Sequence, residues 1–317
     1  MPRRSPRLTA FRVPTPVLWA GLLVLALIAG GLSAAAVLQG RAAQQLGVAA
    51  AEAAATQSER PETPGANDPG SDEIDLAPAP ATPQRVMVAG ATPGHLIRAT
   101  TGTCPAPAGI IEVSFDDGET WESGRAPDDS ASQVLQFDAS DPELSHMVSL
   151  VADSCQPRAF QSFVGGTTWE PADGTDGRWY LDPSASQTAH TPLGPVALPC
   201  SAVELSASNT RAIVLCDDTT LTISSDSGAT WSTPLSVPHA VAVGLAPSQF
   251  IYATSGSSDC PDIQLGVVSE SGLGPVSTCL DATAAPGQIA IAATNDLVVV
   301  WAGDTLSRSF DDGVTWE

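Results

Sequence analysis

Apolar and polar positions divide the chain into three regimes. From Val17 to Leu38 the sequence reads VLWAGLLVLALIAGGLSAAAVL, 22 residues with Ser33 as the only polar side chain. A helix of that length reaches about 33 Å, enough to cross a hydrocarbon core about 30 Å thick. The run predicts a transmembrane helix over 17–38, preceded by a short tail over 1–16. Residues 39–83 form the second regime. An Ala- and Gln-rich stretch comes first, then a segment with Pro at 61, 64, 69, 78, 80 and 83. Such a composition buries too little apolar surface to fold alone and reads as a spacer. From residue 84 onward short apolar runs alternate with Gly, Asp, Ser and Pro turns. Examples are Arg85-Val-Met-Val88, Ala212-Ile-Val-Leu215 and Leu297-Val-Val-Val300. No stretch of this region keeps a 3.6-residue period, so 84–317 is expected to be all-β.

The β region repeats itself. Ser114-Phe-Asp-Asp-Gly-Glu-Thr-Trp121, Ser224-Ser-Asp-Ser-Gly-Ala-Thr-Trp231 and Ser309-Phe-Asp-Asp-Gly-Val-Thr-Trp316 all fit S-x-D-x-G-x-T-W. In these copies the fixed residues are Ser114, Asp116, Gly118, Thr120 and Trp121; Ser224, Asp226, Gly228, Thr230 and Trp231; and Ser309, Asp311, Gly313, Thr315 and Trp316. A fourth copy keeps Ser162, Gly166, Thr168 and Trp169 but has Val164 where the others have Asp. A weaker fifth lies at Val268-Ser-Glu-Ser-Gly272. These residue types suit one tight hairpin. Asp accepts backbone N–H bonds inside the turn, and Gly takes a positive φ. Ser and Thr tie the strand ends, and Trp buries a large ring as the return strand begins.

The phrase resembles the Asp-box, or BNR repeat, of sialidases, sortilin-type receptors, some xyloglucan hydrolases and a photosystem II assembly factor. The resemblance covers residues 84–317 and implies a β-propeller, in which the box joins the third and fourth strands of a blade and is structural. The copies start 48, 62, 44 and 41 residues apart. At about 40–50 residues per four-stranded blade this implies five blades, with an insertion around Asp173–Pro195. The last box ends one residue before the end of the sequence. Closure is therefore expected from an earlier strand, with Glu73–Ala77 as the candidate.

Charge narrows the partners. Arg3, Arg4, Arg7 and Arg12 precede the apolar run and no acid accompanies them, which places the N-terminus in the cytoplasm and the propeller outside. A cleaved secretory signal ending at Ala36 is the competing reading, although the run is longer than the usual signal core. Beyond the run, nine Arg against 35 acidic residues leave a net charge of −26. So acidic a surface repels nucleic acid and anionic lipid. The chain contains no Lys and much Ala, Gly and Pro, which reads as the codon bias of a GC-rich bacterium such as an actinobacterium.

The six cysteines, Cys104, Cys155, Cys200, Cys216, Cys260 and Cys279, all follow the apolar run, and an even count in an oxidising compartment suggests disulfides. On the implied propeller all six fall in loops of the face opposite the boxes. Six cysteines allow 15 connectivities, of which Cys104–Cys155, Cys200–Cys216 and Cys260–Cys279 is the one expected.

Candidate chemistry is sparse. His95, His146, His190 and His239 show no metal spacing, and there is no C-x-x-C, Walker, dinucleotide or G-x-S-x-G phrase, so no metal or cofactor is expected. Asp116-Asp117 and Asp311-Asp312 lack the run of oxygen ligands that a calcium loop needs. The resemblance to sialidases implies three converging Arg, a Tyr–Glu pair and a Phe/Tyr-Arg-Ile-Pro phrase. That phrase is missing, and only Tyr180 and Tyr252 are available as nucleophiles. No catalytic residue is assigned. The expected function is a membrane-anchored binding or scaffolding propeller for an envelope protein or glycan. Arg178, Trp179 and Tyr180 in the insertion are its candidate contact. A sialidase-like hydrolase and an assembly factor for a membrane complex are the alternatives.

Overall fold

The computed structural model describes residues 78–106, 109–125 and 131–317. The expectations for the tail, the membrane helix, most of the spacer and the strand at Glu73–Ala77 lie outside the described residues.

Twenty-two strands form six antiparallel sheets. The first contains β1 (Arg85–Ala89), β2 (Leu96–Thr100), β3 (Ile111–Ser114) and β4 (Glu122–Gly124). The second contains β5 (Ala131–Asp138), β6 (Ser145–Val151), β7 (Pro157–Ser162) and β8 (Glu170–Pro171). The third contains β9 (Tyr180–Leu181), β10 (Thr188–Thr191) and β11 (Gly194–Ala197). The fourth contains β12 (Ala202–Ser208), β13 (Arg211–Cys216), β14 (Thr220–Ser224) and β15 (Leu235–Ser236). The fifth contains β16 (Ala240–Leu245), β17 (Phe250–Ser255), β18 (Ile263–Ser269) and β19 (Gly272–Val276). The sixth contains β20 (Ile289–Ala293), β21 (Val298–Ala302) and β22 (Thr305–Ser309).

Each sheet is built from consecutive strands. The first strands β1, β5, β12, β16 and β20 neighbour one another around a central channel. The architecture is a six-bladed β-propeller.

The hydrophobic core lies between neighbouring blades. Ile97, Ile111, Phe137, Met147, Phe160 and Trp169 pack the first blade on the second. Val241, Ile251, Ile263, Ile289, Ile291 and Val300 pack the fifth on the sixth. The inner strands β16 and β20 are buried at nearly every position, so side chains on both faces of these sheets are packed against neighbouring blades.

The count of six corrects the expected five. The 62 residues between Ser162 and Ser224 hold a whole, reduced blade rather than an insertion. It escapes sequence reading for physical reasons. Its strands have two to four residues, too few for alternation to show. Its hairpin turn is Thr191-Pro-Leu-Gly194, clasped by the Thr191 hydroxyl to the Gly194 carbonyl at 2.9 Å.

This blade also lacks a regular inner strand. Trp179, just before β9, donates its indole N–H to the Asn209 carbonyl just after β12 at 2.8 Å. Ser186, after β9, accepts from the Ala202 N–H at the start of β12, also at 2.8 Å. So β9 runs opposite to β12 and occupies the place of a second strand. Residues 172–178 lead from β8 to β9 without forming a strand.

The first and sixth blades meet at a side-chain seam. The Arg98 guanidinium lies 3.8 Å from the Trp121 ring centroid and 4.8 Å from that of Trp301, and it pairs with Glu112 at 2.7 Å. Arg85 lies over the other part of this seam, 4.7 Å from Trp301, and donates to the Gln288 carbonyl at 2.9 Å. The Gln84 N–H donates to Gly287 at 2.7 Å. Among the described residues, ring closure rests on these stacked cations and backbone bonds together with an apolar cluster in which Met87 and Leu96 of the first blade pack on Ala290, Leu297 and Val299 of the sixth. Desolvated cation–π contacts contribute about 2 kcal/mol. Arg98→Ala is expected to lower Tm by roughly 4–8 °C in calorimetry, because it also strands Glu112. An unchanged Tm would remove the seam from the account.

Candidate functional site

Strand connectivity gives the propeller two distinct faces. The repeat turns join third to fourth strands and share one face with the loops between first and second strands. The loops between second and third strands, with the connectors between blades, form the other. The cysteines pair as Cys104–Cys155, Cys200–Cys216 and Cys260–Cys279, with Cα separations of 5.8, 5.9 and 5.6 Å. Five lie in loops of that second face, and Cys216 ends β13 at the same face. The first disulfide joins two blades, and the other two tie a connector to a neighbouring loop.

The repeat turns are self-contained. In the first, the Ser114 hydroxyl donates to Asp116 Oδ1 at 2.8 Å and accepts the Gly118 N–H at 2.9 Å. Asp116 also accepts the Thr120 N–H at 2.8 Å and the Thr120 hydroxyl at 2.6 Å. The same clasp recurs with Ser224, Asp226, Gly228 and Thr230, and with Ser309, Asp311, Gly313 and Thr315.

In the copy without Asp, Ser162 still accepts the Gly166 N–H at 2.9 Å, but Thr167, rather than Thr168, bonds back to the Val164 carbonyl. The fifth copy is a hairpin between β18 and β19 with a Ser269–Ser271 hydroxyl contact in place of the clasp. Each Trp is a wedge toward the preceding blade. Trp231 meets Trp179 edge to face at 6.2 Å, Trp169 packs on Phe137, and Trp121 packs in the cluster with Leu306. Trp316 packs against the cluster between the fifth and sixth blades.

The clasp hydrogen bonds hold these carboxylates ionised. The Thr120 hydroxyl, then the Thr120 N–H and the Ser114 hydroxyl, pull Asp116 down to about 2. Asp226 is lowered chiefly by the Thr230 hydroxyl, and Asp311 chiefly by the Thr315 N–H. A lowered carboxyl contributes stability that is complete above its unfolded value, about 3.9, and is lost as pH falls through the folded one. The clasps should therefore be unchanged between pH 7 and about pH 4 and open only below it. A carboxyl-carbon NMR titration checks this, with a midpoint for Asp116 near an ordinary aspartate as the contrary result.

The turn face also carries exposed apolar groups. Phe115, Phe163 and Phe310, each the second residue of its turn, are more than half exposed. The ring of His95 stacks on Phe115 at 5.2 Å and its Nε2 contacts the Gly165 carbonyl at 2.8 Å, linking two turns.

The expected contact residues are not a surface patch. Trp179 and Tyr180 are 5% and 3% exposed, which corrects the exposed placement expected for them. Trp179 is consumed by Asn209 and Trp231. Arg178 is half-buried in a recess of about 180 Å³ shared with Asp138 and His146. Among the described residues, Tyr252 and several arginines are held by contacts within the fold. Tyr252 is a core residue of the fourth and fifth blades. Arg98 sits in the seam, Arg211 donates to the Ala246 and Pro247 carbonyls on the turn face, and Arg308 pairs with Glu317 at 3.0 Å.

What the structure brings together lies on the axis. On the disulfide face the channel opens into a cavity of about 730 Å³. Gln133 and Gln136 of β5, Glu204 and Ser206 of β12, Val243 of β16 and Ile291 of β20 form its walls. Its mouth is edged by Arg85, Thr101, the Cys104–Cys155 disulfide and the segment Tyr180–Ser186. Met87, Gln136, Ser206 and Ile291 also line a cavity of about 700 Å³ on the turn face, so they form the waist between the two.

On the rim, Asp182 contacts His190 Nε2 at 3.2 Å and accepts the Ser184 hydroxyl and N–H at 2.7 and 2.8 Å. The Ser184 bonds chiefly lower its carboxyl. Tyr180 stacks on His190 at 4.1 Å, and its burial pushes the phenol up.

Glu204 stands out. It is 9% exposed, and its Oε2 accepts the Val243 N–H at 3.3 Å. Burial pushes its carboxyl well above the usual range, opposed only by that N–H. Sequence reading missed it. The available signal was an acid inside the apolar run Ala202-Val-Glu-Leu205, where a strand at the propeller axis was to be expected.

No protein-family model matches the chain, and no curated protein does. Solved propellers do. YCF48 bound to D1 peptide is 15% identical with a TM-score of 0.38, over 76% of this chain and 83% of that one. YCF48 from Cyanidioschyzon merolae is 14% identical with a TM-score of 0.30, over 76% and 86%. The putative TolB from Agrobacterium tumefaciens is 12% identical with a TM-score of 0.33, over 74% and 79%. These are likenesses of fold.

Proposed function

We propose that the chain is a membrane-anchored, extracytoplasmic binding module whose propeller holds a segment of a cell-envelope protein in the cavity of the disulfide face. One observation carries this reading. The axial cavity, about 730 Å³, has the size of a ligand site and mixes amide, hydroxyl and carboxyl groups with apolar walls. The Cys104–Cys155 disulfide fixes two loops at its mouth, which reduces the ordering cost of binding. The repeat turns, by contrast, spend their polar groups on themselves. The 22-residue apolar run and the Arg that precede it support the anchor, and the net charge of −26 beyond it disfavours nucleic acid.

The test is site-specific photocrosslinking on intact cells. A photoreactive residue at Ser184, on the cavity rim, should capture one defined protein, and the same residue at Phe115 on the turn face should not. Capture from Phe115 alone would refute the reading. Capture of a glycan at Ser184 would replace the protein partner with a carbohydrate.

A further inference from the structure

We propose, resting on the binding reading above, that Glu204 anchors a cation subsite, and that the bound segment enters the cavity with the guanidinium or ammonium group of an Arg or Lys side chain. A carboxylate offers about four acceptor positions. Among the described residues Glu204 fills one, with the long bond from Val243. Buried polar groups are normally satisfied, and a buried carboxyl without a countercharge is costly.

Among the described residues, no free countercharge faces Glu204. Arg85, the cation at the rim, is committed to the Gln288 carbonyl and the Trp301 ring. The other titratable groups facing the cavity are Tyr180, Asp182 and His190 of the third blade. β5, β16 and β20 present Gln133, Gln136, Val243, Ala290 and Ile291, none of them charged.

The surroundings suit a cation on an alkyl stem. Val243 and Ile291 provide apolar wall, while Gln136 and Ser206 provide acceptors for the N–H groups a carboxylate cannot reach. The acidic surface attracts such a segment from a distance. Burial raises the carboxyl, so a proton and an incoming cation compete for it, and a cation that pairs with the carboxylate releases any proton held there to solvent. Affinity should therefore rise with pH toward a plateau, by at most tenfold per unit.

Nα-acetyl-L-argininamide is the probe, with Nα-acetyl-L-citrullinamide as its neutral counterpart, titrated into the full chain in nonionic detergent with ¹⁵N-labelled valine. The Val243 amide reports the carboxyl directly. The arginine probe should shift it saturably and bind at least tenfold tighter than the citrulline probe at pH 8, with a smaller ratio at pH 5. Glu204→Gln should bring the ratio to about one. Equal binding of the two probes to the wild type would overturn the cation subsite but leave the cavity as a binding site. A silent Val243 amide with both probes would overturn the subsite, while crosslinking at Ser184 decides the binding reading separately. The wild-type comparison needs no variant and stays decisive if Glu204→Gln fails to fold.

Discussion

Replacing Cys104 and Cys155 together by Ser is expected to lower the unfolding free energy by about 4 kcal/mol, the largest effect among the three disulfides. The two residues are 51 positions apart, against 16 for Cys200–Cys216 and 19 for Cys260–Cys279. Each crosslink removes loop entropy from the unfolded chain, and the logarithmic dependence on loop length gives about 3 kcal/mol for either shorter loop. The long one also holds the second-to-third strand loops of two adjacent blades together at the cavity mouth. A 1 kcal/mol loss moves Tm by about 2–4 °C in a domain of this size, so roughly 8–16 °C is expected. Guanidinium unfolding of the three double variants checks both magnitude and order. If the Cys104–Cys155 variant were the least affected, the staple between blades would carry no weight.

Gly228→Ala should cost about 2–3 kcal/mol, through two effects that add. Gly228 has φ of +83°, where a Cβ is strained. A Cβ there would also stand 2.6 Å from Thr191 Cγ2 and 3.2 Å from the Trp179 ring, both in the preceding blade. Those neighbours are a clasped turn and a hydrogen-bonded indole, so neither yields easily. Gly177 is the control. Its φ is +75°, yet a Cβ there meets nothing within 4 Å. Gly177→Ala should cost about 1 kcal/mol, the backbone part alone. Equal losses at the two sites, measured by chemical denaturation, would mean that the turns do not pack blade on blade.

The blade-on-blade role of the turns explains how far the sequence could be read. Ser, Asp, Gly, Thr and Trp recur at fixed spacing because one local hairpin needs all of them. The clasps and the all-β fold were therefore visible from residues 114, 162, 224 and 309 alone. The face that carries the cysteines was also legible from strand order, but a shared face leaves every connectivity open, and the folded loops are what bring Cys104 to Cys155, Cys200 to Cys216 and Cys260 to Cys279. The third blade was not legible. Its turn uses Thr191 and Gly194, its strands are too short for a period, and Trp179 reads as exposed until Asn209 and Trp231 are seen beside it. The cavity was hidden for a different reason. Gln136, Glu204, Val243 and Ile291 lie far apart in sequence, one per inner strand, and only ring closure brings them to one axis. At the closing seam, Arg98 and Trp301 stack although their sequence neighbours give no hint of it.

The central claim is that the axis binds and the repeat turns support. Once crosslinking at Ser184 has identified the partner segment, its affinity for three forms of the full chain decides the matter. Ser206→Trp fills the waist of the channel, while Asp226→Asn weakens a clasp on the turn face. The account predicts at least a tenfold loss for Ser206→Trp and wild-type affinity for Asp226→Asn. Wild-type affinity for Ser206→Trp, with loss for Asp226→Asn, would contradict it.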